Sequence, residues 1–222
     1  MNPSLVGSEM CIRDRSPTPL DGLIITGAPV EHLPFEEVHY WKELANLIEE
    51  AKLKCASTLG LCWAGFAMAY MAGVDKKIFN KKLFGVYPMR SLVPGHSLMG
   101  TQDDEFFCPQ SRHAGLPDIE MEKAEQKGNL RLLAHGEKVG YTIFETPDQR
   151  QLMHLGHPEY NVDRLKSEME RDKKRGDVPP PENFDLTKSN TSWRSHRNLL
   201  FQQWLWFCYP VSYTHLTLPT TD

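Results

Sequence analysis

The sequence lacks a long apolar run, a signal-peptide start and a strong excess of charge. No apolar stretch approaches the roughly 20 residues that a transmembrane helix needs. The first residues have neither the basic start nor the hydrophobic stretch of a signal peptide. The 25 basic and 29 acidic residues give a formal net charge of −4, which does not favour a nucleic acid or a membrane surface as partner. We therefore expect a cytoplasmic protein with no nucleic-acid and no membrane partner.

Cysteines are few, and none of them is spaced as a metal ligand. Cys11 lies near the start, and the others are too scattered for the short Cys-x-x-Cys pairs that hold zinc. We expect no bound metal, and free thiols in a reducing compartment. By pattern, Cys55 opens a strand, Cys108 lies in a loop and Cys208 lies on the last helix. Cys62 is then the candidate for a reactive thiol.

The two ends of the chain encode one DNA word in opposite orientations. One set of codons for MCIRD (residues 10–14) is ATG TGT ATA AGA GAC, and its reverse complement translates as VSYTH, the letters of residues 211–215. A sequencing library carries the same adapter inverted at both ends of an insert, and this word resembles a transposase-type adapter. We predict that residues 1–15 and 211–222 are disordered adapter read-through, excluded from fold reasoning. Residues 16–210 would be one domain, a fragment of a gene cut at both ends.

Apolar periodicity predicts alternating strands and helices. A short apolar run at residues 21–29 ends at a Gly and a Pro, as a buried strand and its turn do. Residues 38–48 repeat apolar side chains at helical spacing. A strand at 56–61 and a helix at 63–73 follow. Further strands are predicted in LRLLAHG, VGYTIFET and RQLMHLGHPEY, and further helices at 161–175 and from Ser195. This order predicts an α/β fold, a Rossmann-like three-layer sandwich with a mainly parallel sheet.

Cys62 lies between a predicted strand and a predicted helix, in TLGLCWAGFA. Gly60 precedes it by two residues and Ala64 follows it by two, and such small neighbours allow the tight, strained turn of a nucleophile elbow. The following helix points its N-terminus at the sulfur, which favours a thiolate and supplies backbone N–H groups, that of Trp63 among them, for an oxyanion. The alternative interpretation is a buried core cysteine.

A histidine and a glutamate flank a proline in GHPEY, directly after a predicted strand. A catalytic thiolate needs a base to pass protons and a third group to orient that base, and His157 with Glu159 supplies both. An isolated His-x-Glu is usually a surface pair. Together with an elbow cysteine, it favours a Cys-His-Glu triad that transfers acyl groups through a thioester.

At this point the sequence resembles a known family. DGLIITGAP, LCWAGFAMAY, KLFGVYPM, PQSRHA, GHPEY and SWRSHRNLLFQQWL occur in order across residues 21–209. Together they resemble the homoserine O-acyltransferases of methionine biosynthesis, which have a class I glutamine amidotransferase-like fold. The resemblance implies that Cys62 takes the acyl group of an acyl-CoA and passes it to the hydroxyl of L-homoserine. His157 would be the general base and Glu159 its partner, with no cofactor beyond the acyl donor. It also implies a homodimer.

The same resemblance implies a homoserine site formed by Lys82, Ser111, Glu168 and Arg171. Glu168 and Arg171 are three residues apart, so they share one helix face and offer one charge to each end of an amino acid. Without the resemblance, this pair reads as a solvated salt bridge and Lys82 as a surface lysine.

Glu31, two residues after the proline of GAP, matches the position that resembles the family's acyl-selectivity position. There, Gly goes with succinyl-CoA and Glu with acetyl-CoA. A succinyl chain would bring a second carboxylate into the pocket, and two like charges about 4 Å apart repel by about 4 kcal/mol at an effective dielectric near 20. The resemblance therefore implies a homoserine O-acetyltransferase that uses acetyl-CoA.

Two departures and three alternatives remain open. The family begins before residue 21, so the sheet is expected to lack N-terminal strands and to expose an edge. Gln110 stands where the family often has His. The alternatives are an O-succinyltransferase, a glutamine amidotransferase-like enzyme, and an inactive fragment. Trp63 directly after the nucleophile and the SWRSH segment fit an amidotransferase poorly, whereas glutaminase turnover would favour it.

Overall fold

The computed structural model describes residues 20–174, 180–185, 187–188 and 190–216, the last seven of them by backbone only. These residues form seven strands, five α-helices and one short 3₁₀ helix, Phe35–Glu37. The strands are β1 (Leu20–Ile25), β2 (Cys55–Leu61), β3 (Lys77–Ser91), β4 (Glu105–Gly115), β5 (Arg131–Gly136), β6 (Gly140–Glu145) and β7 (Gln151–His154). The helices are α1 (Trp41–Lys54), α2 (Trp63–Met71), α3 (Asp118–Gln126), α4 (Val162–Lys173) and α5 (Arg194–Leu216).

The strands form one mixed sheet in the order β1-β2-β7-β6-β5-β3-β4. β2 pairs in parallel with β1 and with β7, and the chain crosses over from β1 to β2 through the helix α1, as a parallel pair requires. The remaining neighbours pair antiparallel, and short turns join β5 to β6 and β6 to β7. The sheet is thus more mixed than the mainly parallel sheet expected, and its parallel part carries the Cys62 turn.

Helices cover both faces of the sheet, as expected of a three-layer α/β fold. Along β7, Leu152 and Met153 are both fully buried but belong to different clusters, because successive side chains of a strand point to opposite faces. Met153 packs in the cluster that contains α1, α2 and α3. Leu152 packs in the cluster that contains Leu200, Trp204 and Cys208 of α5, four residues apart on one helix face.

The long antiparallel pair β3–β4 is a correction to the sequence-based reading, which placed Cys108 in a loop. Cys108 lies within β4, paired with Tyr87. Prolines inside both strands hide the pattern, because Pro cannot donate to the ladder and normally argues against a strand. Here Pro109 lies on an edge strand, and Pro88 lies in β3 opposite Phe107. The helix α3 was not predicted either.

Most other predicted elements are confirmed, with small shifts at their ends. The last helix begins at Arg194, one residue before the predicted Ser195. Its backbone continues to Leu216 and so enters the segment assigned to adapter read-through, whose origin stays a prediction. Residues 1–15 lie outside the described residues, as do 217–222. Across the described part of the chain, no helix combines the length and the apolarity needed to cross a bilayer.

Candidate active site

Cys62 forms the sharp turn between β2 and α2. Its backbone has φ 52° and ψ −116°, a region that a non-glycine residue adopts at a cost of about 1–3 kcal/mol. Gly60 allows the helix to lie directly on the strand, since a Cβ there would come within 3.1 Å of the Gly65 nitrogen. The helix backbone that lies closest to Gly60 belongs to Ala64 and Gly65. The sequence pattern indicated only Ala64 as the small residue on the helix side. The turn has the strained geometry of a nucleophile elbow.

The space beside the Cys62 sulfur is kept open by a glycine from the loop after β1. A Cβ on Gly27 would lie 3.5 Å from the Cys62 Sγ and 3.6 Å from the Trp63 nitrogen. Trp63 is the first residue of α2, so its N–H has no partner within the helix and carries the positive end of the helix dipole. If an acyl group were attached to this sulfur, the oxyanion on its carbonyl oxygen would lie near the Trp63 N–H, which is the donor that the sequence predicts.

His157 lies in the loop after β7 and is nearly buried, with 8% of its surface exposed. Its Nδ1 lies 2.7 Å from Glu159 Oε1, and its ring stacks on Tyr160 with centroids 4.1 Å apart. Burial alone would lower the pKa of His157, but the charge of Cys62, a hydrogen bond to Cys62 and the carboxylate of Glu159 raise this pKa to about 10. The structure therefore brings Cys62, His157 and Glu159 together in the order that a triad needs.

The four residues expected to bind homoserine meet in one ionic cluster. Glu168 Oε1 accepts hydrogen bonds from Ser111 Oγ at 2.6 Å, from Lys82 Nζ at 2.9 Å and from Arg171 Nη2 at 2.9 Å. Burial would raise the pKa of Glu168, but hydrogen bonds from Ser111, Lys82 and Tyr160, with the charge of Lys82, lower this pKa to about 2. Lys82 is only 5% exposed, so it is no surface lysine. Arg171 is 45% exposed and forms the open side of the cluster.

Asp172 completes this cluster and was not singled out in the sequence. Its Oδ2 lies 2.6 Å from Lys82 Nζ, and its Oδ1 lies 3.0 Å from Arg171 Nε. Four residues separate it from Glu168, so both carboxylates lie on the same face of α4. That spacing was the available signal. With two cations and two carboxylates, the cluster is electrically balanced.

Glu31 contacts the side chain of Cys62 directly. Its Oε1 lies 3.7 Å from Cys62 Sγ, and its Oε2 accepts the His113 N–H at 2.6 Å. The side chain is buried, so a charge placed near it is poorly screened. Residues 111 and 113 are two apart on β4, hence about 7 Å apart along the strand. β4 thereby connects the Glu31 contact with the ionic cluster at Ser111.

Arg112 is a buried cation behind the site, and sequence reasoning missed it. Its guanidinium donates to Gln110 Oε1 at 2.9 Å, to the Ala114 carbonyl at 2.5 Å and to the Val139 carbonyl at 2.6 Å. Burial lowers its pKa to about 10, opposed by the negative charges of Cys62 and Glu31. Its positive charge therefore stabilises these two groups. Gln110, at the position where the resemblance leads us to expect His in many members, accepts a hydrogen bond from this guanidinium.

One set of three side chains has ligand atoms close enough to hold a metal ion among the described residues. Cys108, His154 and His196 place these atoms within 4.8 Å of one another, and all three are buried. The group adjoins the proposed triad, since the His154 carbonyl accepts the Cys62 N–H at 2.8 Å.

The fold and the elbow cysteine define the class to which the chain belongs structurally. A glutamine amidotransferase from Thermotoga maritima aligns with 94% of this chain and 91% of its own length, at a TM-score of 0.57 and 11% identity. A glutamine amido transferase from Methylobacillus flagellatus aligns with 98% and 90%, at 0.58 and 14%. At this identity the likeness shows the fold alone, which is class I glutamine amidotransferase-like.

The sequence narrows this class to one family. Residues 11–214 match the family described as homoserine O-succinyltransferase, and the chain belongs to that family. It is similar to homoserine O-acetyltransferase of Bacillus mycoides, with 42% identity over 200 residues, covering 87% of this chain and 65% of the relative. The enzyme of the same name from Streptococcus pneumoniae is 41% identical over 192 residues, covering 83% and 60%. The chain thus spans about 65% of the length of such relatives.

Proposed function

We propose that the protein is a homoserine O-acetyltransferase of methionine biosynthesis, which transfers acetyl from acetyl-CoA to L-homoserine. Family membership and the relatives named homoserine O-acetyltransferase support an acyl transfer to homoserine. The observation that supports acetyl over succinyl is the Glu31 carboxylate 3.7 Å from the Cys62 sulfur. The succinyl donor named by the family description remains the second candidate.

In the first half-reaction, the Cys62 thiolate attacks the carbonyl carbon of acetyl-CoA. A carbon–sulfur bond forms to Cys62, and the oxyanion develops beside the Trp63 N–H, in the space that Gly27 leaves open. The bond to the CoA sulfur then breaks. The Nε2 proton of His157 passes to that leaving thiolate, so CoA leaves as a thiol and the imidazole becomes neutral.

In the second half-reaction, homoserine binds at the ionic cluster. Its ammonium group pairs with Glu168 and its carboxylate with Arg171, as their charges and positions allow. Neutral His157 takes the proton of the homoserine hydroxyl, whose oxygen attacks the thioester. The Cys62 thiolate leaves and pairs again with the imidazolium, while Glu159 holds the ring through Nδ1.

The location and the assembly follow as proposals of the same kind. All four described cysteines are free thiols, which supports a cytoplasmic location. The family resemblance supports a homodimer, which light scattering of the purified protein would test.

Mass spectrometry of the acyl-enzyme tests the proposed function. The protein is mixed with acetyl-CoA or succinyl-CoA without homoserine, and the Cys62 peptide is weighed. We expect an acetyl adduct that homoserine releases, and none in Cys62→Ser digested in the same way. A succinyl adduct formed faster than the acetyl adduct would overturn the choice of donor. Ammonia release from glutamine without either adduct would identify an amidotransferase instead.

A further inference from the structure

Two buried histidines stand behind the proposed general base. His154 is the last residue of β7 and His196 lies in the first turn of α5. Their Nε2 atoms are 3.5 Å apart, and the Cys108 sulfur lies 3.8 Å from the His154 Nε2. These separations resemble the distances between the ligands of a tetrahedral metal site. The positions of the ring protons therefore decide whether the group can bind a metal ion or forms a hydrogen-bonded pair of histidines.

Backbone groups at both ends fix those proton positions. At one end, the Gln102 amide donates to the Leu98 carbonyl at 3.1 Å, so its Oε1 faces His196 Nδ1, which must donate. His196 Nε2 therefore holds a lone pair. At the other end, the Gly156 N–H donates to His154 Nδ1 at 3.0 Å. His154 Nδ1 thus holds a lone pair, and its Nε2 carries the proton that faces His196.

This arrangement leaves no place for a metal ion or for a second proton on either ring. A metal bound at His154 Nε2 would require that nitrogen to lose its proton and Nδ1 to face the Gly156 N–H as a donor. Metal-bound histidines normally donate their other N–H to an acceptor, which is the opposite arrangement. Burial, with His196 and His157 nearby, holds the pKa of His154 well below its ordinary value. Burial lowers the pKa of His196 to about 3.

His154 is bonded to both halves of the proposed active site. Its backbone carbonyl accepts the Cys62 N–H at 2.8 Å. Its side chain accepts the N–H of Gly156, the residue before His157. The His157 N–H in turn donates to the Pro109 carbonyl at 2.8 Å. Two successive peptide groups that carry the proposed base are therefore anchored, one of them by a side chain.

We propose that His154 is a positioning residue, whose neutral ring, oriented by His196 and Gln102, fixes the Gly156 peptide and thereby the placement of His157 against Cys62. This proposal rests on the proposed role of His157 as the general base. Displacements of about 1 Å at a reacting group cost on the order of a hundredfold in rate. A single hydrogen bond at the peptide before His157 is thus sufficient to matter.

Asparagine and glutamine at position 154 separate this role from simple packing. In His154→Asn, the amide oxygen lies where Nδ1 was and accepts the Gly156 N–H. In His154→Gln, the longer amide reaches towards His196 but leaves the Gly156 N–H without its acceptor. Both variants are polar and uncharged. We expect His154→Asn to acetylate Cys62 within about threefold of the wild-type rate, and His154→Gln to be about 10–100-fold slower per folded molecule.

The readouts keep folding, positioning and function apart. Circular dichroism and the melting temperature report folding, and equal acetylation rates in both variants would overturn the proposal. Long-range ¹H–¹⁵N spectra of the wild-type chain report the tautomers directly. We expect His154 protonated at Nε2 and His196 at Nδ1. A proton on His154 Nδ1, or a shift of its Nε2 signal on adding Zn²⁺, would also overturn it.

Alkylation of Cys62 by iodoacetamide distinguishes failure of this proposal from failure of the proposed function. That reaction needs the thiolate paired with His157 but needs no acyl-CoA. If acetyl-CoA gives no adduct with the wild type, the function fails. Slower alkylation in His154→Gln than in His154→Asn would still support positioning, and equal alkylation would contradict it.

Discussion

Removing the charge of Glu31 should change which acyl-CoA the protein prefers. The carboxylate lies 3.7 Å from the Cys62 sulfur, to which we propose that the acyl group becomes attached. A succinyl carboxylate placed about 5 Å from it would be repelled by about 3 kcal/mol at an effective dielectric near 20. That energy corresponds to a factor of about a hundred in the ratio of the two donors. Acetyl carries no charge and avoids this cost.

Three substitutions separate charge from volume at this position. Glu31→Gln keeps the shape and can still accept the His113 N–H that Oε2 now accepts, so the succinyl-to-acetyl ratio should rise about a hundredfold. Glu31→Gly also opens space, so its ratio should rise at least as much. Glu31→Asp keeps the charge and is the control that should still favour acetyl.

Competing acetyl-CoA and succinyl-CoA at equal concentration provide the assay. The two adducts on the Cys62 peptide differ in mass, so one spectrum gives the ratio of their rates. If Glu31→Gln leaves the ratio unchanged while Glu31→Gly raises it, the selectivity comes from space and the electrostatic reasoning is refuted. Raised salt should change the ratio little, because the carboxylate is buried.

Three further results are expected from the ionic cluster and the oxyanion space. The pKa of Glu168 is lowered to about 2 from 4.5, so its contribution to stability is present above about pH 4.5 and is lost as the pH falls towards 2; urea unfolding should show Glu168→Gln less dependent on pH there, by up to about 3 kcal/mol. Lys82→Met leaves two buried carboxylates with Arg171 as their one remaining cation in the cluster and should lower the free energy of unfolding by about 3 kcal/mol in the same assay, whereas a loss below about 1 kcal/mol would contradict the buried pairing. Gly27→Ala places a methyl group 3.1 Å from the Cys62 Cβ and 3.5 Å from its sulfur, and should slow acetylation about tenfold or more per folded molecule, with the melting temperature measured beside it; an unchanged rate would mean that the oxyanion forms elsewhere.

Local patterns were enough to predict the sharp turn at Cys62 and the strand and helix on either side of it. The Cys62 elbow depends on small residues near it in sequence, and the helices depend on apolar spacing within one segment. The pair β3–β4 could not be predicted in this way, because its partners are far apart in sequence and its prolines interrupt the pattern. Strand pairing is decided by contacts that a local reading does not contain.

The ionic cluster shows a different limit. Lys82 and Glu168 are 86 residues apart, and by pattern alone each belongs to a solvated surface. Only the family resemblance selected them, and it did not include Asp172 or Arg112. Sequence reasoning missed these roles because they depend on burial. The charge of Lys82 or Arg112 acts strongly only where the fold removes it from water.

Because the ionic cluster has no net charge, a ligand that binds there must exchange its own ion-pair contacts for contacts within the cluster. Before a ligand enters, Lys82 and Arg171 already form ion pairs with Glu168 and Asp172. A zwitterion can replace one internal contact at each of its ends and leave the total charge unchanged. A ligand with a single charge would leave one member of a buried ion pair without an oppositely charged partner, at a cost of several kcal/mol. The pocket should therefore reject the lactone and the N-acyl derivatives of homoserine, which competition against homoserine during release of the acetyl-enzyme would reveal.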